Sequence, residues 1–349
     1  MGKIKIILIF LTLLFGIGLR SVEVINRNFL FGFDQGRDYS AVKKIVVERK
    51  PTLIGAEVGG GMAGLKGIFH GPYYYYSLVL PFLIFEGNPY GGLVLMFIFG
   101  VASLFLACFF VQRNFGNVAA LVATLLMSVA LSDQSRFMWN SHPSTLFILL
   151  SFWFAYQSYQ NPRRYFFWAT FFAGLIYGFQ LAISIPLIVS LFLAAFLFMK
   201  IRDLRVYLLG IIGVVLAYLP FFVFELRHGF MAIKGLGHIF AGIFKKERLI
   251  SFSANFRDHL LSFWFNFRNT FLLSHRWHLH FWLMLFLLTV TLYYLIKKRK
   301  SQEKGFVCFL LILPLVTFLI LMLLNNAVWG HYLVHLHLVY LLLFSIYFS

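Results

Sequence analysis

Acidic residues are scarce in this chain, which has 12 aspartates and glutamates among 349 residues but 30 lysines and arginines. Cysteine is scarcer still, because only Cys108 and Cys308 are present and both lie inside apolar stretches. The sequence therefore predicts neither a disulfide framework nor a cysteine-based metal site. Heptad runs and low-complexity segments are also missing, so we expect no soluble C-terminal domain and no disordered tail.

The composition is instead that of a membrane protein. Hydrophobic residues make up 61% of the chain, aromatic residues 20% and charged residues only 12%, and the mean hydropathy is +0.84. Soluble domains of this length are far more polar, so the sequence predicts a single polytopic, all-α membrane domain over residues 1–349. The net charge of +18 would suggest nucleic acid in a soluble protein. Here the basic residues lie mostly between apolar segments, which favours membrane lipids rather than nucleic acid as partners.

Ten apolar segments approach the length needed to cross about 30 Å of hydrocarbon. The first follows a basic N-terminus without a signal-peptidase motif, so we interpret it as an uncleaved span. The chain ends inside the last one, so we expect a truncated or minimal C-terminal half. The predicted spans are 4–19, 90–112, 117–131, 144–159, 165–179, 183–199, 206–224, 281–296, 305–324 and 332–348.

One further apolar segment decides the predicted topology. Residues 73–85 are too short to span and contain Pro81, so we interpret 73–86 as an interfacial helix. The basic segments 161–164, 200–205 and 297–300 then face the cytoplasm, as the positive-inside rule requires. The outer face receives four polar regions, in which we expect the chemistry: the catalytic loop 20–72, the loop 132–143, the long segment 227–278 and residues 325–331.

The catalytic loop opens with the segment Phe-Gly-Phe-Asp-Gln-Gly-Arg-Asp-Tyr at residues 31–39. Asp34 and Asp38 are spaced i, i+4 with Arg37 between them, and apolar positions predict a helix over 39–48 that starts near Asp34. Carboxylates beside a membrane are costly to bury and are therefore functional candidates. The alternative is an acidic N-cap on an interfacial helix.

Two further features follow in the same loop. Glycines at positions 59–61, 64 and 67 can bring backbone N–H groups close to an anion, although no nucleotide-binding spacing is present and a flexible loop is the alternative. Next, His70, Gly71 and Pro72 predict a sharp turn before four tyrosines at 73–76. Those tyrosines can form an aromatic belt, stack on a sugar or bind phosphate through their hydroxyls.

The loop 132–143 carries Arg136, which is the strongest phosphate candidate because guanidinium groups pair with phosphate at two points. Trp139 and Asn140 suit sugar stacking and hydroxyl recognition, whereas the alternative is a capped loop before the next span. Further along, Glu225 and Arg227 can pair with each other or contact a ligand.

The long segment 227–278 alternates basic and aromatic residues, as an amphipathic interfacial helix does. Three histidines, His275, His278 and His280, follow no strong metal signature, and His331 and His335 at i, i+4 supply two ligands only. We therefore expect no metal site there.

Four motifs together resemble the GT-C glycosyltransferases, in the branch related to protein O-mannosyltransferases and lipid A aminoarabinose transferases. Bacterial members of that branch often carry a DQGRD-type loop, a GPxYYY helix, an R-x-x-W-N loop and an FELRHGF segment. The matching segments here are 34–38, 71–76, 136–140 and 224–230, and the resemblance covers roughly residues 31–230.

The resemblance implies a polytopic GT-C-like bundle in the plasma membrane. Its enzymes take a sugar from a polyprenyl-phosphate donor and transfer it on the outer face, here to a lipid, glycan or protein acceptor. Asp34 matches the general base of the family, and Asp38 would replace the acid that relatives carry where Gln35 stands. The residues expected to hold the donor phosphate and sugar are Arg37, His70, Tyr73, Tyr74, Arg136, Trp139, Asn140, Arg227 and His228.

The chemistry of the residues agrees with that expectation. A lipid-phosphate sugar already has a good leaving group, so one carboxylate is needed to take the acceptor's proton and cationic groups are needed to hold the departing phosphate. Direct transfer with one base predicts inversion at the anomeric carbon. Acid clusters of the kind that bind Mg²⁺ are missing from the sequence, so we expect no metal cofactor.

The competing hypothesis is a transporter or a flippase for lipid-linked sugars, because broken helices and interior aromatics also serve transport. The chain shows no internal repeat pairing its two halves, and its predicted spans hold almost no ionisable residues that could carry coupling ions. The polar groups gather in the predicted outer regions instead, which favours an enzyme at the membrane surface.

Overall fold

The computed structural model describes residues 2–61, 67–235, 237, 252–271, 277–297, 301–323 and 328–349. Across these ranges the chain is helical and forms no strand; one isolated antiparallel bridge joins Glu57 and Phe69. The first seven helices are α1 (Gly2–Asn26), α2 (Phe33–Val46), α3 (Tyr73–Ile84), α4 (Tyr90–Phe115), α5 (Asn117–Ala130), α6 (Ser144–Ser158) and α7 (Pro162–Leu175).

The second half of the chain continues the helical pattern. Its helices are α8 (Leu181–Leu197), α9 (Leu204–Ala217), α10 (Leu219–Arg227), α11 (Phe252–Phe271), α12 (Trp277–Lys297), α13 (Ser301–Leu321) and α14 (Val334–Ile346). Short 3₁₀ turns lie at Val58–Gly61, Asp133–Ser135, Ile176–Gly178 and Gly330–Leu333. The predicted all-α class is therefore confirmed.

Four helices are long and apolar enough to cross a membrane among the described residues: Lys3–Asn26, Tyr90–Phe115, His278–Lys297 and Gln302–Leu321. These four helices are those of a helical membrane protein. The prediction of about ten spans is not met by length, because helices such as α5 and α7 have 14 residues and reach only about 21 Å at 1.5 Å per residue. Four shorter helices in the described ranges are apolar but do not individually match a full bilayer: Tyr73–Ile84, Asn117–Ala130, Leu181–Leu197 and Gly330–Ile346.

The predicted span 206–224 is wrong as a single straight helix. It consists of α9 and α10, which meet at Tyr218 with a bend of 62°. Pro220 lies in the first turn of α10, where proline is tolerated because the first N–H groups of a helix lack intrahelical partners. Counted as one bent pair, α9 and α10 raise the number of candidate spans to 5.

Two local predictions are confirmed. The long apolar stretch from 165 to 199 is broken at Gln180, whose extended backbone separates the turn Ile176–Gly178 from α8. Helix α3 has 12 residues with Pro81 inside it, so at about 18 Å it is too short to span the bilayer, as we expected for an interfacial helix.

Contacts group the polar segments at the two ends of the bundle. At one end Gln35 donates to the carbonyl of Met138, Asn140 donates to the carbonyl of Phe179, and Trp139 packs on His331. At the opposite end Arg163 pairs with Asp203 and Gln160 bonds Gln302. This is the same grouping of segments that the charge argument predicts from the sequence.

A small second core positions the end of the bundle that carries α2. The main core lies between α4, α5, α6, α7, α8, α13 and α14. The second core holds α2 against α3 and α4, and it consists of Tyr39, Val42, Tyr74, Tyr75, Leu78, Met96, Met138 and Phe179. Because its members come from the aspartate helix, the tyrosine helix and the 132–143 loop, burial of their apolar area fixes these three segments relative to one another.

Candidate active site

Arg37 joins the two aspartates of α2 into one cluster, the Asp34–Arg37–Asp38 cluster. Its Nη1 donates to Oδ1 of Asp34 at 2.8 Å, and its Nε and Nη2 reach Oδ1 of Asp38 at 2.9 and 2.8 Å. The helical spacing explains the geometry, because positions 34, 37 and 38 lie on one face of a helix. The three residues carry one net negative charge when both aspartates are ionised.

Helix α2 begins earlier than the sequence indicated. It starts at Phe33, its N-cap is Gly32, and Asp34 therefore lies inside the first turn. The interpretation of Asp34 as an acidic N-cap is wrong, because its carboxylate turns to Arg37. The backbone N–H of Gly32 instead donates to Oε1 of Gln35 at 2.9 Å, and the amide of Gln35 also holds Met138.

The two aspartates differ in exposure. The side chain of Asp34 is 48% exposed, whereas that of Asp38 is 4% exposed. Burial raises the pKa of Asp38 to about 6, and the neighbouring Arg37 guanidinium opposes that rise. Asp34 is consequently the carboxylate that a ligand can reach, and Asp38 is its buried partner across Arg37.

The tyrosine that interacts with the cluster is Tyr75, whereas the sequence had favoured Tyr73 and Tyr74. The hydroxyl of Tyr73 donates to the carbonyl of Ala217 at 2.6 Å, and Tyr74 is buried with no hydrogen-bond partner for its hydroxyl among the described residues. Tyr75 interacts with both Asp38 and Arg37. Burial raises the pKa of the Tyr75 hydroxyl, with Asp38 as the next cause, so that hydroxyl remains a proton donor.

His70 lies near the Asp34–Arg37–Asp38 cluster, because the charge of Arg37 affects the pKa of its ring. Its ring is buried, and its Nδ1 accepts a hydrogen bond from the Leu181 amide at 3.2 Å. Burial lowers the pKa of His70 to about 3, and the nearby His331 and Arg37 lower it further. A neutral His70 with its proton on Nε2 is therefore expected near neutral pH.

Arg136 is engaged by a protein carboxylate. Its Nε and Nη2 donate to Oε2 and Oε1 of Glu23 at 2.7 and 2.6 Å. This two-point pair links the end of α1 to the loop 132–143, and no hydrogen bond or ion pair connects Arg136 to Asp34, Arg37 or Asp38 within the described ranges. Arg136 thus makes to Glu23 the two-point contact that we expected it to make to phosphate.

The other two candidates in that loop lie close to the cluster. The Trp139 ring packs on His331 with centroids 5.2 Å apart, and Asn140 is held through its amide by the carbonyl of Phe179. His331 in turn feels the charge of Asp34, which raises the pKa of its ring, although burial outweighs that effect and lowers the pKa to about 4. Trp139 is therefore linked to Asp34 indirectly, because it packs on His331, whose pKa responds to the charge of Asp34.

Arg227 and His228 lie at the end of α10, away from these contacts. Both are exposed, and His228 stacks on Phe224 and bonds its carbonyl. No hydrogen bond or ion pair joins either residue to the cluster among the residues described. The predicted Glu225–Arg227 pair is not formed either, because Glu225 is buried and accepts hydrogen bonds from the amides of Ala232 and Ile233, both at 3.0 Å.

Several sequence-based candidates lie outside the described residues. They are Gly64, Lys245, Lys246, Arg248, His275, Arg276, residues 298–300 and residues 324–327. Within the described ranges, no group of three or more His, Cys, Asp or Glu side chains is arranged to hold a metal ion. His335 is buried and bonds Thr317 through Nε2 at 2.8 Å, so its ring serves helix packing between α14 and α13.

A polar cavity of about 750 Å³ opens beside Trp139 and His331. Its walls come from the 132–143 loop, α11 and the start of α14. The polar residues lining it are Ser132, Asp133, Gln134, Ser141, His142, Ser262, Asn266, Asn269, His331 and His337. His331 contributes to this wall and is coupled to Asp34, so the cavity and the cluster adjoin.

Comparison with protein-family models and with curated proteins gave no match to this chain. The site is therefore judged on its own residues.

Sequence reasoning missed Tyr75, His331 and Asp133 as site residues. Tyr75 was visible only as one of four tyrosines, and a helix projecting from Pro72 can present any one of them to α2. The signal for His331 and Asp133 is weak because their partners lie far away in the chain. A carboxylate directly after an apolar segment, as at Asp133, was the one available indication.

Proposed function

We propose that this protein is a multi-pass GT-C-type glycosyltransferase. It moves a sugar from a polyprenyl-phosphate donor to a lipid, glycan or protein acceptor at the outer face of the plasma membrane. The observation that carries the proposal is the half-exposed Asp34 carboxylate, which Arg37 holds in place next to a polar, aromatic-lined cavity. The sequence resemblance of residues 31–230 supports the same assignment.

In the proposed reaction Asp34 takes the proton from the acceptor's hydroxyl or amine. The acceptor atom then forms a bond to the anomeric carbon while the bond from that carbon to the phosphate oxygen breaks. The polyprenyl phosphate leaves with the bonding electron pair, and the configuration at the anomeric carbon inverts. Asp34 suits this role because it is accessible and because Arg37 orients one of its oxygens.

Arg37 has a second part in the proposal. A guanidinium group carries five N–H donors in a plane, and the contacts to Asp34 and Asp38 engage Nε, Nη1 and Nη2 once each. The remaining N–H groups can meet the oxygens of the departing phosphate, and the Tyr75 hydroxyl lies against the same guanidinium. These donors would stabilise the charge that develops on the phosphate as the bond breaks.

We also propose a binding site for the lipid chain of such a donor. An apolar groove of about 870 Å³ lies between α11, α12, α13 and α14. Leu260, Trp264 and Phe267 line this groove, whereas Ser262, Asn266 and Asn269 on the opposite face of α11 line the polar cavity. Helix α11 therefore lies between the apolar groove, which suits an isoprenoid chain, and the polar cavity, which suits a sugar.

The deciding experiment is a transfer assay with protein reconstituted in liposomes and a radiolabelled polyprenyl-phosphate sugar. We expect label to move onto an acceptor, with activity unaffected by a chelator. Asp34→Asn should lower the rate by about 10²–10⁴, the usual contribution of a positioned base. Asp203→Asn is the matched control, since Asp203 pairs with Arg163 at the opposite end of the bundle. Movement of label across the bilayer without transfer would instead identify a flippase.

Sidedness can be tested separately by cysteine labelling. Phe33 is 87% exposed next to Asp34, and the Arg163 side chain is 66% exposed at the opposite end. In intact cells an impermeant maleimide should label Phe33→Cys, and it should label Arg163→Cys only after permeabilisation. The reverse pattern would place the cluster in the cytoplasm and contradict the proposal.

A further inference from the structure

The lining of the polar cavity limits which ligand it can hold, beyond what the proposed reaction requires. Its lining contains one carboxylate, Asp133, and neither lysine nor arginine among the described residues. Part of Asp133 is exposed, whereas desolvation of its carboxyl group raises its pKa against the opposing charges of Arg20 and Arg136. The pKa of His142 is lowered by burial to about 4, as is that of His331, so both rings are neutral near pH 7. The described lining thus offers hydrogen bonds and no cationic side chain as a partner for an anion.

The orientation of Asn266 leaves an acceptor without a partner. Its Nδ2 donates to the carbonyl of Leu333 at 3.2 Å and to Nε2 of His337 at 3.1 Å. His337 can accept there because its Nδ1 proton is given to Thr270, whose hydroxyl donates to a backbone carbonyl. A flipped amide would set Oδ1 against two acceptors, so the network fixes the amide.

Two buried polar atoms in the cavity wall consequently lack partners. Oδ1 of Asn266 and Oγ of Ser141 have no hydrogen-bond partner among the described residues, and the two residues are only 4% and 1% exposed. A buried polar group without a partner costs free energy, which a bound ligand or water can recover. Both residues line the same cavity, so a ligand that brings hydroxyl groups can supply the missing partners.

The aromatic residues of the cavity complete the pattern. Phe137, Trp139 and Phe265 lie in its wall beside the polar groups. A combination of flat apolar faces with carboxylate, amide and hydroxyl groups matches a sugar, which has apolar C–H faces and a rim of hydroxyls. The volume of about 750 Å³ falls within the range of about 300–1,000 Å³ that is usual for small-ligand sites.

We infer that this cavity binds an uncharged sugar ring, with Asp133 and Asn266 accepting hydrogen bonds from its hydroxyls and Trp139 packing on its apolar face. The inference rests on the proposed function for the use of that sugar, which can belong either to the donor or to a glycan acceptor. The chemistry that the cavity recognises is the same in both cases.

The binding test does not depend on catalysis. Full-length protein in lipid nanodiscs is mixed with methyl glycosides of glucose, mannose, galactose and N-acetylglucosamine, and binding is measured by saturation-transfer NMR. We expect at least one glycoside to bind and Asp133→Asn to weaken it about tenfold or more, as loss of a hydrogen bond to a charged group does. Asn269→Trp should abolish binding by filling the cavity. Absence of binding for every glycoside, or full binding by Asn269→Trp, would overturn the inference.

A matched control and a kinetic arm complete the test. Asp258 is an exposed acid on α11, with 58% of its side chain exposed, and it does not line the cavity; Asp258→Asn should bind the glycosides within about twofold of the wild type. In the transfer assay, a raised KM of Asp133→Asn for the acceptor assigns the cavity to the acceptor, and a raised KM for the donor assigns it to the donor sugar. Two unchanged KM values would contradict the inference. Glycoside binding without any transfer would defeat the proposed function and leave the sugar site standing.

Discussion

Glu23 and Arg136 form a two-point ion pair whose donor–acceptor distances are 2.7 and 2.6 Å. The pair joins α1 to the loop that follows α5, across 113 positions of the sequence. Arg136 therefore acts here as a tie between two segments of the bundle, and the phosphate role that its side chain suggested falls instead to Arg37 in our proposal.

A charge reversal tests that structural role. Glu23→Arg and Arg136→Glu should each lower the free energy of unfolding by about 1 kcal/mol or more, because each leaves like charges side by side at a half-exposed position. The double variant should recover most of the loss, since the pair is restored with its ends exchanged. Thermal unfolding in detergent measures the effect. If Arg136 instead holds the donor phosphate, the double variant would regain stability but not transfer.

The buried carboxylate of Asp38 predicts a pH dependence of stability. Its pKa is raised from 3.8 to about 6 in the folded protein, so the folded state binds more protons than the unfolded state between these values. Its contribution to stability is therefore present below about pH 4 and is lost as the pH rises through about 6, on the order of 2–3 kcal/mol for a shift of this size.

The matching measurement compares wild type with Asp38→Asn from pH 4 to pH 7. We expect the wild type to lose stability relative to the variant over this range, because the variant has no proton to release at position 38. A constant difference in melting temperature between the two proteins would show that Asp38 does not titrate in this window.

The tyrosine run offers a paired comparison within one helix. Tyr75→Phe should lower transfer about tenfold, because the Tyr75 hydroxyl interacts with the Asp38–Arg37 pair and a hydrogen bond to a charged group is worth about 1.5–3 kcal/mol. The hydroxyl of the neighbouring Tyr76 accepts a hydrogen bond from the N–H of Thr52 and donates one to the carbonyl of Thr52. Tyr76→Phe should keep transfer within about twofold of the wild type, measured in the same liposome assay. Equal losses in the two variants would argue for a general role of the helix.

Two glycines allow the tyrosine helix to dock. A Cβ on Gly71 would clash with the ring of Tyr177, and a Cβ on Gly178 would clash with the ring of Tyr73. Gly71→Ala and Gly178→Ala should each destabilise the protein by about 1–3 kcal/mol, the usual cost of overpacking. Gly18→Ala in α1 is the control, because nothing lies within 4 Å of its added Cβ. A melting temperature unchanged in all three variants would contradict the close packing.

Local patterns in the sequence were sufficient for several features. The i, i+4 spacing of Asp34 and Asp38 with Arg37 between them marked this segment as a functional candidate, because such spacing is a local property of the chain. The break at Gln180 and the short length of α3 followed from segment length and from proline. The grouping of polar segments at two ends followed from the alternation of apolar and basic stretches.

The sequence by itself determined the class of this protein, because a chain that is 61% hydrophobic can satisfy its backbone in a membrane only as helices. It also marked Asp34, Arg37 and Asp38 as functional candidates. Only the tertiary structure decided that Glu23 engages Arg136, that Tyr75 reaches Asp38, and that Asp133 opens into a cavity lined by α11 and α14. These relationships depend on how distant helices pack, and residue spacing along the chain carries no information about that packing.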